Sequence, residues 1–146
     1  MRNFEELRVW QDARILVKNI YHLNSDCKDY GFKDQIQRAS ISIMNNIAEG
    51  SESGTDALFI RYLNTSKASC SEVRSMLYAG EDLTYYSVEN ATELRNKAII
   101  LSSALYKFIE YLKKSKTGSE YFVLILGFLD SLTPCGFNFI RTPCLI

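Results

Sequence analysis

The sequence predicts an all-α protein: an up-and-down four-helix bundle with an extra apolar C-terminal segment. Three observations carry that expectation. Apolar residues recur at spacings of three and four through four successive stretches, which places them on one helix face each. Short polar breaks separate the stretches, as in bundles of antiparallel helices. Two Pro and seven Gly in 146 residues are few for the many turns of an all-β chain. With 47% hydrophobic residues the chain can fill one core. The expected division is residues 1–118 for the bundle and 119–146 for an extension that is not an independent domain.

The first helix is expected to begin near Asn3, which has the spacing of a capping box with Glu6. Leu7, Trp10, Ala13, Val17 and Ile20 form its stripe, widened by Leu16 and Leu23. Asn24-Ser25-Asp26 and Tyr30-Gly31 mark the following loop. The second helix is expected from Lys33 or Asp34, with Ile36, Ala39, Ile43 and Ile47 inward and Gly50 closing it in the left-handed conformation.

Gly50 and Gly54 bound a short polar break, after which Thr55-Asp56 caps the third helix. Its stripe is Phe59, Leu63, Ser66, Cys70, Val73 and Leu77, with Tyr62, Ser69 and Gly80 beside it. Ser66, Ala68, Ser69, Cys70 and Ser71 make its middle small, either to let a neighbouring helix approach or to offer a polar surface. Ser87 caps the fourth helix, whose seam is Leu94, Ala98, Leu101, Leu105, Phe108 and Leu112. Lys113, Lys114 and Lys116 suit a helix C-terminus, and Gly118 is the expected stop. Beyond it, the apolar run from Tyr121 to Leu129 is too short to span a bilayer, so no membrane is expected.

Charge and chemistry narrow the function classes. The formal net charge is zero, so binding to nucleic acid needs a local patch or one patch repeated by assembly. Four Cys (Cys27, Cys70, Cys135, Cys144) without a CxxC pair, and a single His22, argue against a zinc site. No metal, cofactor or catalytic residue is expected, and the chain reads as non-enzymatic. The charged residues ahead of Trp10 are unlike a signal peptide, which makes a cytoplasmic protein with reduced thiols the expectation.

Leu7-Arg8-Val9-Trp10-Gln11, the segment from Gln35 through Arg38 to Asn46-Ile47-Ala48-Glu49-Gly50, and Phe59-Ile60-Arg61-Tyr62-Leu63 carry a family resemblance. In order and spacing they resemble the bacterial four-helix-bundle proteins encoded in intervening sequences of 23S ribosomal RNA genes. The chain departs at Met44, where the family usually has Pro. The resemblance implies ring assembly, typically of five subunits, and a relation to the accessory variability determinant of diversity-generating retroelements. It therefore implies partners among RNA or DNA, a reverse transcriptase, or a ribosomal RNA context.

Two sets of residues become candidates. Trp10, Gln35, Arg38, Asn46, Glu49, Gly50 and Arg61 are the motif residues, expected as a structural network in which Glu49 and Arg61 meet across the short second connection. Trp10 is expected in the core or at a subunit contact, with base stacking the alternative. Arg14 and Lys18 on the first helix, Lys67 and Arg74 on the third, and Lys107 and Lys114 on the fourth each share a stripe. These are either an ordinary solvated surface or sequence-tolerant nucleic-acid contacts. Tyr85-Tyr86 before the fourth helix either fill the bundle end or stack on a base. Aromatics off the core stripes (Tyr21, Tyr62, Tyr78, Tyr106, Tyr111) favour a homo-oligomer. The alternative function is a protein-interaction scaffold with no nucleic-acid role.

Overall fold

The computed structural model describes residues 3–114, and the chain ahead of the first long helix is not helical in the expected way. Phe4–Glu6 form a single 3-10 turn, and Asn3 makes no side-chain cap to the backbone. Asn3 instead donates to the Glu6 carboxylate across 3.3 Å. Helix α1 then spans Arg8–Leu23 with Leu7 at its N-cap. The capping-box spacing at Asn3 therefore marks a side-chain pair, and the helix begins later. Gln11 holds the turn in place by donating to the Glu5 carbonyl at 2.9 Å, and Phe4 meets the Trp10 ring edge-on at 5.1 Å. The buried stripe of α1 is Val9, Ala13, Leu16 and Ile20, rotated from the expected one, with Trp10 and Leu23 at its margin.

Helix α2 spans Tyr30–Glu52, a turn earlier at its start and half a turn later at its end than expected. Asp29 explains the early start: its carboxylate accepts from the Phe32 N–H at 3.0 Å and caps the helix. At the other end Gly50 is helical rather than left-handed, and the positive φ of 81° falls at Gly54. Gly50 is needed for a different reason. A Cβ there would sit 2.7 Å from both Phe59 Cδ2 and Tyr62 Cβ, so glycine lets α3 approach.

Helix α3 spans Asp56–Asp82, with Thr55 accepting from the Leu58 N–H as its N-cap. Helix α4 spans Val88–Lys114, and Ser87 accepts from the Asn90 N–H at its start. Its buried line runs Ala91, Leu94, Ala98, Leu101, Leu105, Ile109 and Leu112. Phe108 lies at the edge of that line, half-buried and edge-on to Phe59 at 5.3 Å. The expected stop at Gly118 and the extension 119–146 lie outside the described residues.

Contacts between successive helices pair rising with falling residue numbers, the signature of antiparallel neighbours. Ser66 donates to the Ile43 carbonyl at 2.9 Å, and the Ser42 and Ser69 hydroxyls meet at 2.9 Å. The small middle of α3 thus lies against α2, with Ser66, Ser69 and Cys70 buried there. Asn46 donates to the Ser42 carbonyl and hydroxyl at 2.7 and 3.1 Å, extending this polar contact along α2. Around it Ile20, Ile43, Ile47, Leu63, Leu77 and Leu105 are fully buried. Each such side chain contributes roughly 1.5–3 kcal/mol on burial, against less than about 1 for an exposed ion pair such as Lys97–Glu93. Core packing, then, decides the fold.

One end of the bundle is closed by aromatic groups. Thr84 takes φ 59°, which brings the Tyr85 N–H back to the Gly80 carbonyl at 2.8 Å. Tyr86 turns inward and donates to buried Asn24 at 2.6 Å, while Asn24 donates to the Ile20 carbonyl at 2.7 Å. Tyr85 stays exposed and donates to the Asp29 carboxylate at 2.9 Å. Of the tyrosine pair, Tyr86 fills the bundle end and Tyr85 ties the loop to the α2 cap.

Candidate nucleic-acid interface

The described basic residues divide into paired and unpaired. Arg8 is bound to Asp12 at 3.0 Å, Arg38 to Asp34 at 3.7 Å, Lys97 to Glu93 at 2.6 Å and Lys113 to Glu110 at 2.8 Å. Arg95 is paired with Glu81. Among the described residues eight have no ion pair: Lys28, Lys33 and Arg61 outside the basic stripes, and Arg14, Lys18, Lys67, Arg74 and Lys107 within them. These five are stripe residues singled out from the sequence; the sixth, Lys114, is exposed and engaged by a further interaction.

Helix geometry places four of them in two pairs and leaves Lys107 apart. Arg14 and Lys18 lie one turn apart on exposed α1, with the Arg14 guanidinium 5.8 Å from the Trp10 ring centre. Lys67 and Arg74 lie on the ridge of α3 that faces α4, because the Lys67 ammonium sits 5.1 Å from the Tyr106 ring of α4. Lys107 adjoins Tyr106 in sequence and is exposed. Lys67 and Arg74 therefore border the α3–α4 seam, whereas Lys107, one residue and about 100° of helix beyond Tyr106, lies away from it. Arg74 is half-buried, and its Nε is shielded from solvent with no acceptor.

Further along that seam lies a residue that the helical pattern did not single out. Arg95, 8% exposed, extends from α4 to the Glu81 carboxylate, donates to the Thr92 hydroxyl at 2.7 Å and covers the Tyr78 ring at 4.1 Å. A buried cation in the second turn of an apolar helix, shortly after a helix ending in Glu81-Asp82, was the available signal. Its partner lies across the connecting loop, beyond the reach of periodicity.

The motif residues do not form one network. Trp10 packs on Phe4, and Asn46 joins the Ser42–Ser69 contact. Gln35 and Arg38 line a shallow cleft of about 540 Å³ with Ser42 and Glu72. Gly50 serves the α2–α3 approach. Glu49 and Arg61 are both exposed and no ion pair joins them, which corrects the expected contact. The reason is angular: Gly50 faces α3, and Glu49, one residue earlier, is about 100° around the helix. Glu49→Ala and Arg61→Ala should each cost less than about 1 kcal/mol and add in the double variant, as read by urea melts. A coupling above that size would place the two side chains in contact.

The buried thiol supplies no nucleophile. Burial pushes Cys70 up to about 12, against a smaller opposing pull from Arg74, so it stays protonated at neutral pH. Cys27 is half-buried at the closed end, in a depression of about 490 Å³ shared with Asp29 and Tyr85. No helix among the described residues is long and apolar enough to cross a membrane.

Comparison with known proteins agrees with this architecture. A crystal structure of a protein of unknown function, from the S23 ribosomal protein family of Bacteroides thetaiotaomicron, is similar with a TM-score of 0.66. The two are 23% identical, and the match covers 69% of this chain and 97% of that one. At that identity the likeness speaks for the fold. A search of curated proteins finds no match. The sequence profile of the 23S rRNA-intervening sequence proteins matches residues 5–107, from the first turn into the fourth helix. This chain belongs to the 23S rRNA-intervening sequence protein family.

Proposed function

We propose that this bundle is a non-enzymatic, oligomeric protein that binds RNA or DNA with little sequence preference. The observation that carries the reading is the unpaired state of Arg14, Lys18, Lys67, Arg74 and Lys107, beside neighbours neutralised by carboxylates. A cation already bound to a carboxylate gains little from a phosphate. An unpaired one releases counterions from the nucleic acid and adds affinity.

Assembly supplies what one neutral chain lacks. Ile15, Tyr21, Ile99 and Ile100 are exposed apolar groups on α1 and α4, suited to contacts between copies. A ring, of five subunits as the family resemblance implies, would repeat each basic stripe around its circumference. The same apolar groups favour the second reading, a scaffold that binds protein alone.

Fluorescence anisotropy with a labelled RNA at about 50 mM salt tests the proposal. Binding in the micromolar range that weakens steeply at about 200 mM is expected. Lys67→Glu with Arg74→Glu should weaken binding by about tenfold or more, uniformly across sequences. Absence of binding at tens of micromolar in low salt would favour the scaffold. Light scattering that finds a monomer at those concentrations would contradict assembly.

A further inference from the structure

We propose that the α3–α4 seam is a single-strand site in which Tyr78 and Tyr106 stack on bases while Lys67 and Arg74 hold phosphates between them. The inference rests on the nucleic-acid reading above and narrows it to a strand with unpaired bases.

The two tyrosines have the same construction. Tyr78 is 54% exposed and Tyr106 53% exposed, yet each ring carries a cation over one face. Arg95 stands 4.1 Å from the Tyr78 ring centre, and Lys67 stands 5.1 Å from that of Tyr106. A cation at one face orients the ring and leaves the other to solvent. An exposed tyrosine normally gives up rotamer freedom when it is fixed by a ligand, and a ring held in advance gives up less.

The spacing suits an extended strand. Lys67 and Tyr78 are eleven residues apart on α3, and so are Arg95 and Tyr106 on α4. At 1.5 Å per residue the two platforms stand roughly 16 Å apart along the seam. Arg74 lies between them on the α3 ridge, one turn from Tyr78, half-buried and without an ion pair. Arg95 is neutralised by Glu81 and holds Tyr78 from behind; Lys67 and Arg74 remain for phosphate. A strand laid along the seam meets ring, cation and ring in turn.

Strand preference separates stacking from charge alone. Duplex carries the denser charge, with a steeper counterion term than single strands, so a purely electrostatic surface favours duplex. Bases within a duplex are stacked on one another and unavailable to a side chain. Stacking on tyrosine therefore reverses the order, because every exposed base presents a π face.

The test uses the full chain, with labelled oligouridylate and the same strand annealed to oligoadenylate, at about 50 mM salt. Oligouridylate should bind tighter than the duplex. Tyr78→Ala and Tyr106→Ala should each weaken it by roughly 5- to 150-fold, with little change for the duplex. Tyr78→Phe and Tyr106→Phe, which keep the ring, should bind as the parent does. Both side chains are more than half exposed, so these variants should fold, and light scattering should give an unchanged mass. Alanine variants that bind oligouridylate normally, or a parent that prefers duplex, would overturn the seam and leave the electrostatic reading standing. A fall in mass on either alanine change would place that tyrosine between subunits and overturn the seam as well. A parent that binds neither strand would overturn both readings.

Discussion

Gly80→Ala should destabilise the bundle by about 2–4 kcal/mol, although alanine is the better helix former. A Cβ at Gly80 would overlap the Tyr86 ring, whose hydroxyl is bound to buried Asn24. The helix gains about 1 kcal/mol from the substitution. Losing the packed aromatic, together with the hydrogen bond that its hydroxyl gives Asn24 Oδ1, costs roughly 3–5 kcal/mol. The packing term wins. Urea melts should show the loss, and Tyr86→Phe should lose about 1–3 kcal/mol through the hydroxyl alone. A Gly80→Ala protein as stable as the parent would mean that Tyr86 does not close this end.

Arg95→Ala should cost about 2–4 kcal/mol, a little under the range for a fully buried pair because Glu81 retains a quarter of its exposure. Glu81→Ala should cost nearly as much, since it leaves a guanidinium shielded by Tyr78 and Thr92 with less to bind. The double variant should lose clearly less than the sum, because each single change strands the other charge. Strict additivity in the melts would show that the two act separately. Replacing both with apolar groups of similar size should be nearly neutral, the usual behaviour of buried ion pairs.

The helices were legible because burial has a period, and the misreadings lie where a residue has two possible uses. Ile36, Ala39, Ile43 and Ile47, and on α3 Phe59, Leu63, Cys70, Val73 and Leu77, are buried as their spacing requires. Gly50 could end a helix or admit a neighbour, and only the facing Phe59 and Tyr62 decide between them. Asn3 could cap a backbone or pair with Glu6, and it pairs. On α4 the inward line passes to Ile109, leaving Phe108 at the margin, where a large ring can meet Phe59 edge-on.

The candidate surface was legible in part. Shared helix stripes identify which cations lie together, since that follows from 3.6 residues per turn. Which of them remain unpaired depends on the carboxylates around each one, and some partners come from another element, as Glu81 does for Arg95. The Tyr106–Lys67 and Tyr78–Arg95 contacts depend on how α3 and α4 are set against each other, which no single-helix pattern encodes.

The salt dependence of RNA binding tests the central claim, that unpaired cations carry the affinity. Each phosphate contact removed should reduce the slope of log affinity against log salt by about 0.7 for single strands. Lys67→Gln and Arg74→Gln should each produce that reduction. Lys97→Gln, at a residue held by Glu93, should leave the slope of the parent unchanged. Equal slopes for the paired and unpaired variants, or a parent whose binding does not respond to salt, would contradict the account.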